Sequence, residues 1–208
     1  MAIHYTKGEE WANALSHGIG ILIGIIGGGY LLHIAMKSGV RGMWLYLFGM
    51  LASYITSTWY HSSRPDTRHR EVLRKFDHAA IYLHIAGSYS PIMLVSLREA
   101  GYWGWGIFSF VWLCAFIGTT LCFCRLKEHS YLETICYIAM GCSIFVAFKP
   151  LCNHVPSLFI YWLIAEGVSY ITGAVFYSFH KLPYMHSVFH LFVLGGTICH
   201  MIALWYIL

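Results

Sequence analysis

Long runs without a single Lys, Arg, Asp or Glu divide this chain, and they set the terms on which it can fold. Such runs cover Trp11 to Met36, Gly42 to Ser63, His78 to Leu97, Ala100 to Cys124 and Leu182 to Leu208. A helical crossing of a bilayer's hydrocarbon core needs about 20 predominantly apolar residues, so each run can hold one. Thr134 to Phe148 reaches that length once Ser130 to Glu133 joins it as a first turn, and Pro150 to His180 is interrupted only by Glu166. With 58% hydrophobic and 11% charged residues, the chain falls well short of the roughly one-quarter charged content with which a soluble domain covers its surface. The expected fold is therefore all-α: a polytopic membrane protein forming one domain over residues 1–208, a seven-transmembrane helix bundle. Its crossings are expected at 16–36, 43–62, 77–97, 104–124, 130–148, 158–179 and 186–207.

The first crossing follows Glu9 and Glu10 rather than a basic leader with a small-residue cleavage site, so it is expected to be retained. Cytoplasmic loops are enriched in Lys and Arg. Lys7, the second loop (Arg64, Arg68, Arg70, Arg74, Lys75), the fourth (Arg125, Lys127) and the sixth (Lys181) put nine basic residues on one side; Lys37, Arg41, Arg98 and Lys149 put four on the other. This predicts a cytoplasmic N-terminus and an outside C-terminus, in the cell membrane of a bacterium (inner or plasma membrane). The net charge of +4 suits a basic face against anionic headgroups and implies no nucleic acid. Seven cysteines occur without a CxxC pair, so neither a disulfide framework nor a thiolate zinc site is suggested.

Thirteen histidines are present. His4, His33, His69, His129, His154, His180 and His200 sit toward ends of crossings and read as hydrated or hydrogen-bonded interfacial residues. The topology brings others together at one depth: His61 at the cytoplasmic end of crossing two, Asp77 at the cytoplasmic start of crossing three, and His186 with His190 in the first turns of crossing seven. The four-residue spacing of His186 and His190 puts both imidazoles on one helical face. Three neutral imidazoles with a water in the fourth position make a catalytic type of zinc site, and a carboxylate beside it can hold that water. Asp77 is the candidate carboxylate. Ser57, one turn deeper than His61 on the same face, is a candidate to polarise a substrate carbonyl. The competing reading is a hydrogen-bonded cluster that only fixes helix packing, and spacing alone does not separate the two.

His84 shares the Asp77 face but lies roughly 10 Å deeper, too far to ligate the same ion. His78 points about 100° away from Asp77. His17 reads as a neighbour of the ligands or an interfacial residue. Glu166, deep in crossing six, is expected to be protonated, paired or facing an internal water cavity, because a charge exposed to lipid there costs a few kcal/mol.

Four ordered motifs are also present: Trp11-Ala-Asn-Ala-Leu-Ser-His-Gly-Ile-Gly20, Ser57-Thr-Trp-Tyr-His61, Phe76-Asp-His-Ala-Ala-Ile-Tyr82 with Ala86-Gly-Ser-Tyr-Ser-Pro91, and His186-Ser-Val-Phe-His-Leu-Phe-Val-Leu-Gly-Gly196. Together they resemble the hemolysin III family of the progestin and adiponectin receptor superfamily, from Glu10 almost to the C-terminus. The resemblance implies a seven-helix bundle with an intramembrane zinc ion (Zn2+) near the cytoplasmic face. It assigns the zinc to His61, His186 and His190, the contact with the zinc-bound water to Asp77, and the motif serine to Ser57. Glu166 departs from the small residue usual at its position.

Three functions follow as expectations. The first is a zinc-dependent, ceramidase-like hydrolase of a lipid amide or ester, with Asp77 as general base, Ser57 as hydrogen-bond donor, a membrane lipid as substrate and a role in membrane homeostasis. The second is a non-enzymatic sensor or regulator of membrane fluidity in which zinc is structural. The third, a pore-forming cytolysin, conflicts with so many hydrophobic crossings and no secretion signal.

Overall fold

In the computed structural model the described residues are 5–125, 131–179 and 181–208. Among them there is no strand. The helical segments are α1 (Lys7–Lys37), α2 (Met43–Ser62), α3 (Arg68–Ser96), α4 (Trp103–Arg125), α5 (Leu132–Cys152), α6 (Ser157–Ser178) and α7 (Met185–Trp205). Lipid offers no hydrogen bonds to a backbone, so a chain this apolar must close its peptide groups locally, and helices do so. Six of these segments, all but α2, are long and apolar enough to cross a membrane. Large apolar side chains such as Trp11, Ile26, Phe116, Val146 and Tyr161 stand outward, each at least 70% exposed. The chain is an integral, multi-pass membrane protein by these surfaces.

The lower hydropathy of α2 has a structural reason. Its Tyr46, Ser53, Tyr54, Ser57 and His61 face inward and are buried, while Trp44, Phe48, Ile55 and Trp59 face outward. The helix packs along α3, against α1 on its other flank, and carries much of the polar interior. A close approach to α3 is permitted by glycines: a Cβ on Gly87 would meet the carbonyl oxygen of Leu45 at 2.7 Å, and Gly49 is pressed likewise on the α3 backbone at Leu83. Helix α1 also packs on α7, and α6 on α7.

Two helices begin earlier than the expected crossings at 16 and 77. Thr6 caps α1 in a capping box with Glu9, whose Oε2 accepts from the Thr6 N–H at 2.8 Å. Thr67 caps α3 by accepting from the Arg70 N–H at 3.2 Å. Charge-free runs locate hydrocarbon, whereas these caps extend the helices beyond it. The expected start of crossing five at Ser130, along with His4, Lys127, His129 and His180, lies outside the described residues.

Among the described residues three helices are irregular: α1 has a π-helical stretch over Gly24–Gly28, α3 ends in one over Ile92–Ser96, and α5 has a 3-10 stretch over Cys142–Ala147. The Tyr89 hydroxyl of α3 serves the loosened backbone, accepting from the Ile144 N–H at 3.0 Å and donating to the Gly141 carbonyl. A cavity of about 720 Å3 is lined by α3, α5, α6 and α7, with α1 and α2 contributing residues such as Glu10 and Ser57.

Candidate metal centre

His61 occupies the last turn of α2, and His186 and His190 occupy the first two turns of α7. One ring nitrogen of each lies within 4.8 Å of those of the other two, an arrangement that could hold a metal ion. Ring centroids are 5.0 Å apart for His61 and His186, 5.2 Å for His61 and His190, and 4.5 Å for His186 and His190. His61 and His190 are buried, and His186 is half-buried.

The partners of the outer nitrogens give the cluster its direction. His61 Nδ1 donates to Glu10 Oε2 at 2.7 Å, and Glu10 also pairs with Arg70. His190 Nδ1 donates to the Asn13 carbonyl at 3.3 Å, beside the Ser16 hydroxyl at 3.2 Å. His186 Nδ1 lies 3.1 Å from the Tyr5 hydroxyl. Burial pushes that hydroxyl above its ordinary pKa, so it stays protonated. With Nδ1 engaged, Nε2 is the nitrogen left for an ion, and among the described residues His61 Nε2 is buried with no hydrogen-bond partner. A buried orphan acceptor is costly unless something binds it. A histidine whose Nδ1–H is held by a carboxylate or carbonyl is the usual posture of a metal ligand. His61 and His190 have that posture, and with His186 beside them the three imidazoles fit zinc.

Asp77 of α3 and Ser57 of α2 line the cavity beside His186 and His190. Asp77 lies within electrostatic reach of His61 and next to the Ser57 hydroxyl, and it is not among the three grouped donors. Arg70, which donates to the Tyr60 and Ser63 carbonyls at 3.0 Å, braces the ends of α2 and α3.

The polar residues Tyr5, Glu10, Asn13 and Ser16, all from α1 or its entry, are absent from the sequence-based site. The spacing of Glu10, Asn13 and His17 places them on one helical face, a signal available in the sequence. His17 is buried and stacked on His190 with ring centroids 3.6 Å apart. His78 pairs with Glu133 at 2.6 Å instead of facing the cluster. One reading is corrected: His200 is no interfacial residue but is 1% exposed, with Nδ1 2.8 Å from Glu166 Oε2. The second half of α7 faces α6 rather than water. Glu166 is thereby paired and lines the cavity. All seven cysteines are free.

Residues 5–201 match the family described as "Haemolysin-III related". The chain is 38% identical over 196 residues to "Hemolysin-3" of Bacillus cereus, covering 91% of this chain and 87% of that relative. It is 34% identical over 197 residues to "Hemolysin-3 homolog" of Bacillus subtilis (strain 168), covering 93% and 91%. It is 31% identical over 203 residues to "Monocyte to macrophage differentiation factor" of Homo sapiens, covering 95% and 83%. With the family match running through the three-histidine cluster and nearly the whole chain, this protein belongs to the haemolysin-III related family.

Proposed function

We propose that this protein is a zinc-dependent hydrolase of a lipid amide or ester, working near the cytoplasmic face of the cell membrane. It crosses the bilayer seven times with its N-terminus in the cytoplasm, in line with the nine-to-four excess of basic residues on that side. The observation that carries the proposal is the convergence of three imidazoles, each with Nδ1 already engaged, at the end of a cavity lined by a carboxylate and a serine. His61, His186 and His190 would hold the ion, and Glu10 and the Asn13 carbonyl fix the tautomers of His61 and His190. When bound, zinc supplies Lewis acidity that polarises a carbonyl and makes water nucleophilic near neutral pH.

The protein's own residues do the rest. Apolar walls from α3, α5 and α6, among them Ile85, Phe145 and Leu163, accept an acyl chain that enters sideways from the bilayer. The Ser57 hydroxyl donates to the carbonyl oxygen as negative charge develops there. The Asp77 carboxylate takes a proton from the attacking water and returns it to the leaving nitrogen or oxygen as the carbon–heteroatom bond breaks. The products are a fatty acid and an amine or alcohol. The test is fatty-acid release from a panel of lipid amides and esters by zinc-loaded protein. Asp77→Asn is expected to abolish release while retaining zinc; equal release by wild type and Asp77→Asn would refute the proposal.

A second reading draws on the same ligands. They tie α2 to α7 and, through Glu10 and Asn13, to α1, so zinc could serve as a structural clasp in a sensor of membrane state. In that case His61→Ala unfolds the protein in detergent, while Asp77→Asn and Ser57→Ala leave its phenotype unchanged.

A further inference from the structure

The cavity continues past the metal centre to a polar inner end formed by Glu166 of α6, His200 of α7 and His84 of α3. Tyr46 of α2 packs there, its ring 4.8 Å from that of His200 and 6.4 Å from that of His84. These four residues are 8%, 1%, 7% and 0% exposed for Glu166, His200, His84 and Tyr46. Glu166 Oε2 and His200 Nδ1 are bonded at 2.8 Å. Among the described residues, His200 Nε2, His84 Nε2 and the Tyr46 hydroxyl have no hydrogen-bond partner. Buried polar atoms are rarely left so, and a polar pocket with three or four such partners is where water resides.

The depth of this cluster limits its charge. A lone carboxylate or imidazolium inside a bundle is expensive, and a pair of zero net charge is the cheapest state. For Glu166 and His200 that state holds one proton more than a carboxylate beside a neutral imidazole. Among the described residues no Lys, Arg or second carboxylate pairs with either group. The titratable groups that face them are Tyr46 from α2, His84 and Tyr89 from α3, Tyr170 beside Glu166 on α6 and Cys199 beside His200 on α7. None of these carries a permanent charge that would hold the pair in one state.

The geometry points to a second site, distinct from the metal centre, in which Glu166 and His200 bind one exchangeable proton and reach His84 and Tyr46 through bound water. The proton comes from water in the cavity and returns to it. The same cavity reaches Arg70 and Arg74 at its other end, which gives the pair a route to solvent. This site makes no use of zinc and stands whether or not the protein is a hydrolase.

The test is an infrared pH titration of the full chain in lipid nanodiscs, with deuterium exchange to mark carboxyl and imidazole bands. In the wild type one protonation step is expected, read at the carboxyl band when the proton sits on Glu166 and at the imidazole band when it sits on His200. Glu166→Gln and His200→Gln should each remove or shift that step, and Asp77→Asn should leave it in place. Titrations of Glu166→Gln or His200→Gln that superimpose on the wild type would overturn the proposal. Should Glu166→Gln fail to fold, Tyr46→Phe decides: it deletes one hydroxyl and must move the midpoint of the shared step, and an unmoved midpoint counts against the site.

Discussion

Glu10 shows how one side chain turns a histidine into a directed donor. Its carboxylate accepts from His61 Nδ1 at 2.7 Å and pairs with Arg70, so the His61 ring can neither flip nor change tautomer without breaking a buried bond. Removing such a partner typically weakens metal binding by about 10–100-fold. Glu10→Gln is therefore expected to lower zinc affinity within that range in competition with a chromogenic chelator, and an unchanged affinity would show that the posture of His61 does not depend on Glu10. The grouping of the three histidines was legible in the sequence, because His186 and His190 share a face by spacing and His61 reaches their depth by topology. Glu10 was not, since its partner is 51 residues away, and the face it shares with Asn13 and His17 does not say what that face meets. His200 was misjudged for a related reason. Distance from a helix end says how deep a residue lies but not which neighbour it faces, and the Glu166 carboxylate facing it comes from another helix.

At the scale of elements, α2 explains why mean hydropathy and the spacing of charges give different counts. Charge-free spacing marks it as a crossing, while its inward tyrosines and serines keep it from having a stretch as apolar as those of the other six helices. Its seam with α3 relies on two glycines, and overpacking such a contact costs about 1–3 kcal/mol. Gly87→Val is expected to lower the thermal midpoint in detergent and to leave zinc affinity per folded molecule unchanged. A midpoint equal to wild type would mean that the seam can open without cost. The 3-10 stretch of α5 was not legible, because its backbone is served by Tyr89 from α3, a contact with no local sequence signature. Tyr89→Phe should speed hydrogen exchange at the Ile144 amide, and unaltered exchange there would show that the hydroxyl is dispensable.

The whole molecule joins three helices at one end through a shared donor set, with the cavity running inward from it. Binding to the folded state alone stabilises it by mass action. Zinc is accordingly expected to raise the thermal midpoint of the wild type, a chelator to lower it, and neither to affect His186→Ala/His190→Ala. Equal shifts in wild type and the double variant would place the metal elsewhere. The central claim is that His61, His186 and His190 grip one ion, and metal content per chain tests it most directly. Protein purified without chelator and washed of loose metal is predicted to carry about one zinc per chain in the wild type and in Asp77→Asn, and almost none in His186→Ala/His190→Ala. A wild type free of metal after zinc supplementation, or a double variant with the wild-type load, would contradict the account.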